Sequence, residues 1–320
     1  MMAKAAMIDY APGVTAIDAQ FAGRTGQVAS HLLVDAGEAA LVDVGSNHSV
    51  PHILRALDDK GIARSAVRYV CVTHVHLDHA GGAGELMRHL PQATLVVHPR
   101  SARHMIDPSA LYAGARSIFG DEVMARDYGE PVPVPEERVR IVDEGDRLEL
   151  GGRSLLFLDT PGHANHHYSM VDETTNRIFA GDTFGVSYRS LATDQGDFIF
   201  PSTSPVHFDP DAAHRSVDRL RDLRPEAIYV AHFGEVTDIP RLAGEMHRGL
   251  DAHVDVALRH ADAGHGQADA IAADLLQWFI RRLREHGAGL RDAEVEDRLA
   301  LDIQVNTQGL VVWLQRRQRQ

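Results

Sequence analysis

Three imidazoles and a carboxylate crowd one short stretch of this chain, Thr73-His74-Val75-His76-Leu77-Asp78-His79-Ala80-Gly81-Gly82. His74 and His76 are two apart, so on extended backbone they point the same way. Asp78 and His79 fall where the chain turns through two glycines toward the helical pattern of residues 85–90. They can face the same space from another side. Nitrogen and oxygen donors at this spacing suit metal binding: the loop can offer imidazoles to one ion and a nitrogen–oxygen pair to a second. A histidine-rich surface turn is the plain alternative in a chain with 20 histidines. The setting argues against it, because the apolar, β-branched run at residues 67–72 reads as a buried strand that delivers the loop.

Further donors recur at predicted strand ends. Thr160-Pro161-Gly162-His163 follows the run at 153–158, and the Pro-Gly pair forces a turn that presents His163. Gly181-Asp182-Thr183 follows the hairpin strands at 168–172 and 177–180. Ala231-His232-Phe233-Gly234 follows the strand at 227–230. Any one of these reads equally well as a satisfied structural residue; the series together is a much stronger signal. Asp43, ending the strand at 40–44 before Gly45, reads either as a turn aspartate or as a partner that orients a metal ligand.

Strands at 14–17, 29–34, 40–44, 67–72 and 94–98, with helices at 50–57 and 85–90 between them, indicate an α/β core. Residues 101–129 break the rhythm as short helices carrying Tyr112, Phe119 and Tyr128, read as surface packing or as a flap over the site. Segments 139–142, 147–150 and 153–158 are expected as antiparallel strands. A helix at 211–223 precedes the strand at 227–230. From about Pro240 the pattern is helical at 242–261, 267–286, 292–301 and 309–315, with a break at Ala263-Gly264-His265-Gly266. The expected organisation is a catalytic domain over 1–240 and a helical C-terminal domain over 241–320.

The composition bounds the partners. Hydrophobic content of 44% and charged content of 24% are ordinary for a soluble globular chain of 320 residues. A formal charge of −13 and only 6% aromatics weigh against nucleic acid, which needs a basic, stacking face. There is no membrane-spanning apolar stretch. Residues 1–10 lack the apolar run of a signal peptide. The lone Cys71, inside the motif strand, reads as a small buried hydrophobe. A cytoplasmic protein acting on a small molecule is the expectation; a homodimer is left open.

The order H-x-H-x-D-H, Pro-Gly-His, Gly-Asp and a late His-x-Gly, with Asp43, resembles the metal-site series of the metallo-β-lactamase-fold hydrolases over residues 14–240. With its C-terminal helices the chain is most similar to their glyoxalase II-like branch. The resemblance implies a four-layer αβ/βα sandwich with a helical appendage. It implies that His74, His76 and His163 hold one metal, that Asp78, His79 and His232 hold a second, and that Asp182 bridges them. Two divalent ions, zinc or else iron or manganese, would bring a bridging water to a pKa near ~7. The resulting hydroxide would attack a thioester, ester or lactone, with Asp78 steering it. A mononuclear iron persulfide dioxygenase and a phosphodiesterase share the layout and stand as alternatives. His166 and His167, where the family often has other residues, are open to substrate or supporting roles. The loop after Asp182, with Phe184, Tyr188, Phe198, Phe200 and Phe208, reads either as packing or as an apolar pocket in which Tyr188 gives its hydroxyl to the substrate.

Overall fold

The β-branched run at Val67–Cys71 buries Val67, Val70 and Cys71 and is paired in parallel on both sides, as in sheets covered by helices. It is the fifth strand of a seven-stranded sheet among the residues described by this computed structural model, 5–10 and 12–319. In order these are β1 (Met7–Tyr10), β2 (Val14–Asp18), β3 (Ala29–Asp35), β4 (Glu38–Val42), β5 (Val67–Cys71), β6 (Thr94–Val97) and β7 (Val139–Ile141). Strands β1 to β4 pair antiparallel and β4 to β7 in parallel. The second sheet holds β8 (Arg147–Leu150), β9 (Arg153–Asp159), β10 (Tyr168–Asp172), β11 (Arg177–Val186), β12 (Ala227–His232) and β13 (Gly234–Val236), ordered β13-β12-β11-β10-β9-β8.

The chain forms two compact units: 1–159 with 166–181 and 226–237, and 160–165 with 182–225 and 238–320. The last crossing lies close to the boundary expected at residue 240, but the second unit also takes up two earlier segments. In the first unit the inner faces of the two sheets share one core, including Val42, Cys71 and Val96 with Leu155, Phe157 and Phe179. The outer face of the first sheet is covered by α1 (Val50–Asp59) and α3 (Ala83–His89), on either side in sequence of the short α2 (Leu77–Ala80). Helix α1 buries Val50, Ile53, Ala56 and Leu57, one stripe of an amphipathic helix. The excursion expected at 101–129 folds as α4 (Ala102–Ile106), α5 (Ser109–Phe119), α6 (Asp121–Val123) and a π-turn at Met124–Tyr128.

The second unit is helical. Helix α7 (Pro210–Asp222) starts on Asp209, whose carboxylate accepts from the Ala212 amide at 2.9 Å. It is followed by α8 (Ile239–Arg259), α9 (Gln267–Glu285) and α10 (Asp292–Arg317). Phe279 of α9 is fully buried against Phe200, ring centroids 5.0 Å apart, in a core that also holds Trp278, Leu299 and Leu310. Burial of one such side chain is worth about 1.5–3 kcal/mol. Among the described residues no helix is long and apolar enough to cross a membrane.

The α/β sandwich with C-terminal helices is the fold expected, with three local differences. Residues 139–141 join the first sheet in parallel with β6 rather than an antiparallel run with β8 and β9. Strand β11 continues through Asp182 to Val186, so Asp182 stands within a strand and not at its end. Helix α10 runs unbroken through Gly309, where the sequence suggested an interruption. Its glycine is a notch: a Cβ there would strike the Thr203 carbonyl. Beside it the Asn306 side chain accepts from the Thr203 amide at 2.7 Å and donates to the Pro201 carbonyl at 3.1 Å.

Gly309→Val should therefore cost about 1–3 kcal/mol by overpacking, read as a lowered urea midpoint, while Gly289→Val, with open space at its Cβ, should be near neutral. A second expectation concerns acid. Burial drives the imidazoles of His31 and His253 down to about 4. Between that value and the unfolded value near ~6.5 the unfolded chain binds the extra protons, so stability rises with pH through this window and is lost as pH falls through it. Urea midpoints at pH 7 and 5 should differ, and His31→Phe should narrow the gap.

Candidate metal centre

Parallel pairing sets Val42 of β4 beside Cys71 of β5, so the residues just past both strand ends meet. Asp43 turns there in the left-handed region, φ 54°, which aspartate tolerates better than most side chains. Its side chain is buried, and a buried carboxylate needs donors. It accepts from the Thr73 amide at 2.8 Å, from the Thr73 hydroxyl at 2.9 Å and from His79 Nδ1 at 3.0 Å. Asp43 thus takes the orienting position that its strand-end placement suggested. Burial, with the Asp43 charge second, pushes the Cys71 thiol well up, so Cys71 is inert packing.

The loop hangs from this anchor. The Val44 amide donates to the His79 carbonyl at 2.7 Å and the Gly82 amide to the Gly45 carbonyl at 2.9 Å. The Thr73 hydroxyl gives its proton to Asp43 and so accepts from His74 Nδ1 at 3.1 Å, which leaves a lone pair on His74 Nε2. His76 Nδ1 lies 2.9 Å from that nitrogen. The rings of His166 and His167, both buried, flank His74 at 6.2 and 5.0 Å, and His166 also meets His76 at 5.7 Å. These two histidines therefore wall the imidazole cluster. Gly181 (φ 49°) completes the wall, since a Cβ there would come within 2.5 Å of Thr73 Oγ1 and His167 Nε2.

Helix α2 turns Asp78 and His79 toward His232 at the end of β12. His79 Nε2 and His232 Nε2 each stand 3.6 Å from Asp78 Oδ2. The other nitrogen of each ring is committed to an oxygen acceptor: His79 Nδ1 to Asp43, and His232 Nδ1 to the Gln27 carbonyl at 2.9 Å. A proton on Nδ1 leaves each neutral ring a lone pair at Nε2, the form a metal requires. Donor atoms of Asp78, His79 and His232 all lie within 4.8 Å of one another. Ligand atoms about 2.0–2.2 Å from a tetrahedral ion lie roughly 3.3–3.6 Å apart. The donor set therefore fits a divalent metal in chemistry and in spacing.

The second unit presents His163 and Asp182 in the same manner. Gly162 (φ 136°) passes so close to the Ala213 backbone that a Cβ would collide, and this fixes the turn before His163. His163 Nδ1 donates to the Ser202 carbonyl at 3.0 Å, and its Nε2 stands 3.4 Å from Asp182 Oδ2. A small hollow here is lined by His163, Asp182, Thr183, Ser202, Met246 and Leu250. Tyr188 is not among its lining residues. It packs in the helical core, 5.9 Å from the Phe200 ring, and donates its hydroxyl to Asp302 of α10 at 2.9 Å. Phe184, Phe198, Phe200 and Phe208 are likewise buried. The Tyr188 hydroxyl is thus engaged by Asp302, which fits the packing side of the two readings of this loop. Nothing in the sequence marks the Gln27 and Ser202 carbonyls, because a backbone acceptor has no residue type. In the first unit, Tyr128 packs edge-on against Phe21 at 5.1 Å, and His48 holds the π-turn through the Ala125 carbonyl at 3.0 Å. Burial raises the Tyr128 phenol well above its ordinary value, and the charge of Asp78 adds to the effect.

The sequence profile of the metallo-beta-lactamase superfamily matches residues 23–232. A metallo-beta-lactamase fold-containing protein of Sulfurisphaera tokodaii is 27% identical over 222 residues, 68% of this chain and 78% of its own length. A hydroxyacylglutathione hydrolase of Hahella chejuensis is 29% identical over 201 residues, 62% of this chain but only 58% of that protein. The crystal structure of an archaeal metallo-beta-lactamase superfamily protein from Sulfolobus tokodaii aligns with a TM-score of 0.62 at 22% identity, covering 85% of this chain and 98% of that one. That likeness is one of fold.

Asp43→Asn keeps the size of the side chain but removes the charge that holds the proton on His79 Nδ1. It should weaken metal affinity about 10–100-fold with little change in secondary structure. Competition titration against a chelator, beside circular dichroism, measures both.

Proposed function

The chain belongs to the metallo-beta-lactamase superfamily, and from there we propose that it is a metal-dependent hydrolase of a small carbonyl compound, a thioester, ester or lactone, using two divalent ions. One observation supports it best: His79, His163 and His232 each commit Nδ1 to an oxygen acceptor and turn Nε2 toward a carboxylate. In this reading His74, His76 and His163 hold one ion, Asp78, His79 and His232 the other, and Asp182 is shared. Imidazole and carboxylate donors suit zinc, and iron or manganese as well. When bound, such ions supply Lewis acidity and acidify a water at neutral pH.

The residues of the chain do the rest. Asp43 and the Gln27 and Ser202 carbonyls fix three imidazoles before any ligand arrives, so little is lost to reorganisation. Asp78, partly exposed, orients the attacking water and holds its proton. Met246 and Leu250 offer an apolar arm of the substrate a dry surface beside His163 and Asp182. The carbonyl class leans on the relative named hydroxyacylglutathione hydrolase. In α9, Arg282 pairs with Glu245 and Glu285, and Arg284 with Asp292, which favours an uncharged acyl compound over a polyanion.

The test is metal content together with a substrate panel. Protein purified without added metal should carry divalent ions, and the zinc- or manganese-loaded chain should cleave thioesters or lactones in preference to bis-aryl phosphodiesters. Asp182→Ala should lose bound metal and fall to background activity with its fold intact. Full activity in Asp182→Ala, or persulfide-dependent oxygen uptake by a one-iron protein, would overturn the reading.

A further inference from the structure

Helices α7 and α8 carry the same short pattern, His214-Arg215-Ser216-Val217-Asp218 and His247-Arg248-Gly249-Leu250-Asp251. Histidine and aspartate four apart share one helix face. The two faces meet crosswise: His214 Nε2 lies 3.1 Å from Asp251 Oδ1, and His247 Nε2 lies 2.9 Å from Asp218 Oδ1. This is the register of two helices running in opposite directions. Between the carboxylates the two Nδ1 atoms approach to 2.6 Å, with ring planes 8° apart. Near-parallel planes with nitrogens so close mean that the rings meet edge to edge, lone pair toward lone pair.

Proton accounting then constrains the pair. Each carboxylate accepts, so each Nε2 carries a proton, and a neutral ring has only a lone pair left at Nδ1. Two lone pairs aimed at each other need a cation between them. A carboxylate holding one imidazole nitrogen while the other faces a common point is how histidine is prepared as a metal ligand. We propose that His214 and His247 form a two-histidine site for a divalent transition-metal ion, with Asp218 and Asp251 orienting the rings. An ion with bonds of about 2.0–2.1 Å opens the gap to roughly 3.3 Å in a tetrahedral arrangement, with water completing it. The rings have room to move, since their side chains are 28% and 24% exposed. Imidazole pairs rank copper above nickel and zinc.

Copper(II) titrated into the full-length, zinc-loaded chain tests this against His247→Ala and Asp251→Asn, with copper content and the electron paramagnetic resonance spectrum as readouts. The wild type should bind one copper more than His247→Ala, with hyperfine structure from two nitrogens, and Asp251→Asn should bind that copper about tenfold more weakly. The difference between wild type and His247→Ala cancels whatever copper enters the proposed hydrolytic centre, so the outcome is independent of that reading. Equal copper content in the two, or an unchanged spectrum in His247→Ala, would overturn the site.

Discussion

A carboxylate buried at the junction of two parallel strands has to be surrounded by donors, and Asp43 is. Its ligands, the amide and hydroxyl of Thr73 and Nδ1 of His79, all belong to the loop after β5. One electrostatic requirement thereby does two things. It ties the end of β4 to the loop, and it dictates which nitrogen of His79, and through Thr73 of His74, keeps its lone pair. Had Asp43 faced solvent, water could have served it, and the imidazoles would have been free to turn. Burial therefore converts a surface histidine cluster into a set of oriented donors.

The consequences extend through the first unit. The rings of His166 and His167 pack beside His74, and the close approach at Gly181 explains why a glycine precedes Asp182. The second unit reaches the same end by other means. A tight turn at Gly162 and the Ser202 carbonyl take the roles that Asp43 takes for His79. Its apolar aromatics are spent on the helical core, so the surface beside His163 and Asp182 is left to Met246 and Leu250.

Most donors of the candidate site were legible because they lie at or just past strand ends, which are marked by glycine and by the close of an apolar run; Asp182, within β11, is the exception. The central strands and the helices α1, α7, α8 and α9 were legible through periodicity. What escaped was set by distant contacts. Residues 139–141 carry nothing that says which sheet they will join. Gly309 reads as a helix breaker until the Thr203 backbone is seen passing it. Tyr188 follows Asp182 closely in sequence, and proximity along the chain suggested proximity to the substrate. The strand β11 ends at Val186, and beyond it the ring of Phe200 and the hydrogen bond to Asp302 of α10 hold the tyrosine in the helical core.

The histidines of this chain are separated in function by what their second nitrogen touches. His31 is fully buried between the rings of Phe179 and Tyr229, and among the described residues its Nε2 meets no hydrogen-bond partner; burial alone keeps it neutral. His253 donates Nδ1 to the Gly249 carbonyl, but its Nε2 meets the Asn306 amide at 3.4 Å, so its lone pair already has a donor. His79, His163 and His232 share that protonated Nδ1, yet their Nε2 atoms face carboxylates, which cannot donate when ionised. At His214 and His247 the polarity is reversed, with Nε2 on the carboxylates and Nδ1 facing inward. The same side chain is thus a neutral filler, a satisfied core group or a prepared ligand. What its second nitrogen faces, an aromatic pocket, an amide donor or another electron-rich atom, is the feature that distinguishes the three.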